Sequence, residues 1–73
     1  MIDNDTALEI ARKRAEENGW PFGEPVWIEY RPGWLGRSGR FEIETSAGML
    51  GSKSLFEIDA ATGQILSAAY IPR

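Results

Sequence analysis

Seventy-three residues are enough for one domain, and a chain this short buries only about 60% of the surface that its unfolded form exposes. With 42% apolar and 26% charged residues the composition is that of a globular domain, not a disordered one; eleven acids against eight bases, a net charge of −3, argue against nucleic acid, whose phosphates are met by basic patches. Cysteine is absent, so neither disulfides nor thiolate metal sites can brace the fold, and its stability must come from packing.

The opening residues show neither the basic nor the apolar segment of a secretory signal. No apolar run approaches the ~18–20 residues that a bilayer crossing needs. The expectation is a cytoplasmic protein with no membrane partner.

The first element is a helix over about Asp3 to Asn18. Asp3 is a suitable N-cap, Asp5 suits the first turn, and Ile2 can staple to Ala7; Thr6 with Glu9 offers an alternative capping box. Ala7, Leu8, Ile10, Ala11 and Ala15 make one apolar stripe at helical spacing, and its three alanines allow a sheet to approach closely. Glu9, Lys13, Glu16 and Glu17 face away. The basic run Arg12-Lys13-Arg14 reads as a solvated surface with pairs such as Glu9–Lys13 and Arg12–Glu16. Asn18-Gly19 supplies a left-handed C-cap, and Pro21 prevents continuation.

Four strands follow. Val26 to Arg31 alternates Val26, Ile28 and Tyr30 against Trp27, Glu29 and Arg31. Arg40 to Thr45 alternates Phe41, Ile43 and Thr45 against Arg40, Glu42 and Glu44. Leu55 to Asp59 sets Phe56 and Ile58 opposite Leu55, Glu57 and Asp59, and Gln64 to Ile71 has Ile65 and Ile71 as its clearest core candidates. Such alternation marks an antiparallel sheet covered on one side only. Asp59-Ala60-Ala61-Thr62-Gly63 is a tight turn in which Asp59 caps and Gly63 takes positive φ. The longer loops carry Trp34 and Leu35 in one case and Met49 and Leu50 in the other; these either close the end of the core or form a contact patch. The fold class expected is α+β: one N-terminal helix packed on a four-stranded antiparallel meander (α-β-β-β-β), with residues 1–73 as a single domain.

Histidine is missing as well. With neither His nor Cys, the commonest general base, the thiol nucleophile and most transition-metal ligands are gone. Glu29, Glu42, Glu44 and Glu57 are neighbouring outward carboxylates, but acid–base work needs a cleft, and these belong to an open sheet face. Asp3-Asn4-Asp5 resembles a fragment of a calcium loop yet lacks its glycine and terminal Glu, and helix capping accounts for it. The expectation is no catalysis, no cofactor and no metal. The outward face, with Trp27 and Leu55 among carboxylates, suits a basic protein surface; the alternative is that Arg–Glu pairs merely solubilise it.

The segment from Gly51 to Leu66, with Phe56-Glu57-Ile58-Asp59-Ala60-Ala61-Thr62-Gly63-Gln64-Ile65 at its centre, resembles the strand-turn-strand of PepSY-type domains. It is similar also to the hairpin of small bacterial toxin-immunity proteins of the YrhB-like group, in which a glycine loop precedes the strand, as Gly51 does here. Ile2-Asp3 through Ala7-Leu8-Glu9-Ile10-Ala11 is similar to the first helix of both. The resemblance implies a helix on an antiparallel meander and a non-catalytic role: inhibiting or escorting a peptidase, or neutralising a toxin domain by binding it. The reading that follows is an inhibitor or immunity-type module that occludes a protein partner, with Trp27, Glu29, Glu42 and Glu44 on the sheet and Trp34 and Leu35 at its rim. Two alternatives stand beside it, a self-associating homodimer and a small-ligand sensor; so short a chain leaves little volume for the second.

Overall fold

In the computed structural model, which describes residues 1–36, 39–46 and 53–71, the chain opens with helix α1 (Asn4–Asn18). Asp3 stays extended, and its carboxylate accepts a hydrogen bond from the Thr6 N–H at 2.8 Å, satisfying one of the donors that a helix N-terminus leaves unpaired. The start therefore lies at Asp3, and Glu9 is free of any capping duty; it pairs with Arg12, not with Lys13 as its spacing suggested. Arg12 also reaches Glu16 at 2.8 Å. At the other end Gly19 takes φ +72°, and the Gly19 and Trp20 N–H groups close back on the carbonyls of Glu16 and Ala15. Glycine is suited there because a left-handed residue ends the helix without a Cβ clash.

Strands β1 (Val26–Arg31), β2 (Arg40–Thr45), β3 (Lys53–Asp59) and β4 (Ile65–Ile71) form one antiparallel sheet in the order β1-β2-β3-β4, the α+β meander that the alternation implied. Phe41, Ile43 and Thr45 of β2 and Ser54, Phe56 and Ile58 of β3 are buried on one face. Helix α1 lies on that face against β2 and β3. Its contact is made by Ala7, Ala11 and Ala15, one per turn and fully buried, so the backbone comes close to the sheet and Phe41, Ile43, Phe56 and Ile58 fill the space beside it.

The segment between α1 and β1 completes this core. Phe22 packs edge-on to Phe56, and Trp20 packs against both Phe56 and Tyr70, stacking on the latter with centroids 6.0 Å apart. The two buried polar side chains of the face are satisfied by the same segment. Thr45 Oγ1 donates to the Gly23 carbonyl and accepts from the Gly23 N–H at 3.2 Å, and Ser54 Oγ donates to the Pro21 carbonyl at 3.4 Å.

The β3–β4 turn follows its sequence closely. Asp59 Oδ1 accepts from the N–H groups of Ala61 and Thr62, and Gly63 takes φ +79°. The Ile2 N–H donates to the Ala60 carbonyl at 2.8 Å, tying the start of the chain to this turn.

Strand β4 departs from expectation in one respect. Ile58 pairs with Ile65 but Glu57 pairs with Ser67, so Leu66 is an extra residue, a β-bulge. One added residue reverses the alternation beyond it. Ala68 and Tyr70 therefore face the helix side, and Ile71, expected in the core, lies opposite Lys53 on the open face, 42% exposed.

Candidate functional site

The helix covers one face of the sheet, and the register arranges the other into transverse rows. Trp27, Glu44, Leu55 and Ala69 form one; Glu29, Glu42, Glu57 and Ser67 form the next; Arg31, Arg40 and Asp59 form the third. Three glutamates directly opposite one another repel. The arginine row answers this. Arg31 Nε donates to Glu42 at 3.1 Å and Arg31 lies 3.4 Å from Glu29, while Arg40 donates to Glu42 at 3.2 Å. Arg40 Nε also lies 2.7 Å from Glu57 Oε2, close enough for an ion pair but misaligned for a hydrogen bond. Glu42 sits between both arginines, and the hydrogen bond from Arg31 chiefly holds its carboxyl below the usual range; the same bond raises Arg31.

Charge is therefore unevenly balanced along the strands. Each carboxylate of the glutamate row has an arginine within 3.4 Å. In the Trp27 row the pairing is looser, with Glu44 3.8 Å from Lys53. The indole of Trp27, directly opposite Glu44, is 53% exposed. A shallow concavity of about 520 Å³ opens here, lined by Trp27, Glu29, Glu42, Glu44, Leu55, Glu57, Ser67 and Ala69 together with backbone neighbours. It is an apolar floor with an aromatic wall and a carboxylate border. Such a surface can hold a cationic side chain, its aliphatic stem on Leu55 and Ala69 and its charge near the indole and the glutamates. Among the described residues no cluster of acids is arranged to hold a metal ion.

Of the six residues singled out in the sequence, Trp27, Glu29, Glu42 and Glu44 come together around this concavity. Trp34 and Leu35 do not. They follow β1, whose last residue, Arg31, is roughly 13 Å from Trp27 at the ~3.3 Å rise of a strand, and they do not line the concavity. They do not close the core either, being 76% and 80% exposed, with Leu35 at φ +53° in a left-handed conformation that leucine rarely adopts. Met49 and Leu50 lie outside the described residues, as does Gly51. Ser67 and Ala69, which complete the floor, carried no sequence signal, because their facing depends on the bulge. No helix is long and apolar enough to cross a membrane among the described residues.

Compared with known proteins, the chain matches no family model, no curated protein and no solved structure.

Proposed function

We propose that this chain is a non-catalytic protein-binding module of the inhibitor or immunity type, acting in the cytoplasm by seating its open sheet face on a partner and occluding it. The observation that carries the reading is the exposed Trp27 on a concavity bordered by glutamates, of which Glu44, directly opposite Trp27, is the most loosely paired. An aromatic anchor ringed by acids is the form of a hot spot for a basic protein surface, the acids steering the encounter and the indole supplying contact area. The helix-on-meander arrangement is also what the PepSY-type and immunity-type resemblance implies, and a toxin or peptidase domain is the class of partner that the resemblance suggests.

The test is capture of a partner from the native cell extract, followed by titration of that purified partner against variants. Trp27→Ala is expected to weaken binding at least ~30-fold, the ~2 kcal/mol of an interface hot spot. Trp34→Ala, away from the concavity, should leave affinity within about threefold. Equal affinity of wild type and Trp27→Ala refutes the assigned face, and failure to capture any protein refutes the occlusion reading.

A further inference from the structure

We infer that two copies of this chain pair through the outer edge of β4, strand against strand, about a two-fold axis through Ala69. Each four-stranded sheet has two edges, and they differ in protection. β1 is bounded by Pro25 and Pro32 and carries Glu29 and Arg31, both means by which natural edges discourage pairing. β4 reads Ile-Leu-Ser-Ala-Ala-Tyr-Ile with no charge; its bulge at Leu66 and the Pro72 that follows in the sequence stand at either end of the stretch from Ser67 to Ile71, and among the described residues no strand pairs on its outer side. Helix α1 makes its main contacts with β2 and β3, the two central strands.

The sequence of β4 selects a second copy as the occupant. Beyond the bulge the regular ladder runs from Ser67 to Ile71, and its centre is Ala69. Antiparallel pairing of this stretch with itself sets Ala69 against Ala69, Ala68 against Tyr70, and Ser67 against Ile71. Each large side chain then meets a small one from the other copy: Tyr70 beside Ala68 on the helix side, Ile71 beside Ser67 on the open side. An isologous contact requires such self-matching, and cross-strand neighbours are the pairs that stabilise a sheet. Ile71, turned outward by the bulge, gains cover it lacks in the single copy. The row Trp27–Glu44–Leu55–Ala69 of one copy continues into that of the other, so the product is an eight-stranded sheet with two concavities on one face.

Sedimentation equilibrium tests the pairing. Wild type is expected to dimerise at high micromolar concentration. Ala69→Lys and Ala69→Glu each place like charges face to face on the axis, at an exposed position, and should weaken the dimer at least tenfold; their equimolar mixture should restore it. The chain has no cysteine, so Ala69→Cys gives a second readout. Cβ atoms directly opposite in a ladder lie about 4.5–5.5 Å apart, and mild oxidation should cross-link this variant well before Trp34→Cys. A strictly monomeric wild type, a dimer indifferent to both charges, or equal cross-linking of the two cysteines would overturn the inference.

Discussion

Deleting Leu66 should leave the fold intact. In most strands, removing one residue turns every later side chain to the wrong face. Here Leu66 is the bulge residue: without it Ile65 still meets Ile58, Ser67 still meets Glu57, and Ala68 and Tyr70 still face the helix side. The energetic terms nearly offset one another. Leu66 is 54% exposed, so its loss forfeits about half the burial of a leucine, ~1 kcal/mol. Against this, one fewer residue is ordered on folding, about 1–2 kcal/mol, and the ladder recovers a regular hydrogen bond, about 0.5–1.5 kcal/mol. Some of that gain is consumed in relaxing the local twist, and the net change expected is within about 1 kcal/mol of zero. The informative comparison is deletion of Ala69, three residues on. That change sends Tyr70 to the open face and Ile71 inward, and it loses the stack of Tyr70 on Trp20, worth about 0.5–1.5 kcal/mol beyond area. Urea unfolding monitored by far-ultraviolet circular dichroism gives the stabilities, and nuclear Overhauser contacts between the Trp20 and Tyr70 rings report the facing. A Leu66 deletion that costs more than ~2 kcal/mol, or that abolishes the ring contact, refutes the account of β4.

Two further outcomes follow from the core and the surface charges. Ala11→Leu inserts bulk where α1 meets the sheet with no exposure, and overpacking should cost about 1–3 kcal/mol in urea unfolding, while Lys13→Leu on the exposed side stays within ~0.5 kcal/mol. Acid should destabilise the fold. Hydrogen bonds from Thr6, Arg12 and Arg31 lower the carboxyls of Asp3, Glu9 and Glu42 respectively, so the unfolded chain binds protons more readily than the folded one. The stabilisation is then complete above the ordinary carboxylate range and is lost as pH falls below ~4. With no histidine to titrate, the urea midpoint should be level between pH 7 and 5, and a rise in stability on acidification would contradict the assigned hydrogen bonds.

Much of the architecture was legible because the residues responsible act locally. Asp3 caps the first turn, Gly19 ends the last, and the Asp59-to-Gly63 turn is held by bonds spanning two to four residues. The alternation of β1, β2 and β3 marks which side chains face the helix, since a strand's period of two needs no partner to be read. That Trp27, Glu29, Glu42 and Glu44 share one face was legible for that reason. The failures share a cause in pairing between distant segments. Ile71 looks like core from β4 alone, and only the register against β3 shows that Leu66 is surplus and that parity changes. Trp20 and Tyr70 stand far apart in the chain and meet because the α1–β1 segment crosses the sheet end where Thr45 and Ser54 need hydrogen-bond partners.

Sequence by itself determined an open, acidic, aromatic face, because composition and alternation are properties of the chain. Which of those groups act together was decided by tertiary structure. The register sets Arg31 and Arg40 against the glutamate row at one end and leaves Trp27 opposite the loosely paired Glu44 at the other, while Trp34 and Leu35 follow beyond the far end of β1. Coulombic and dispersive contacts depend on distance in space, and strand pairing is what converts positions along the chain into those distances.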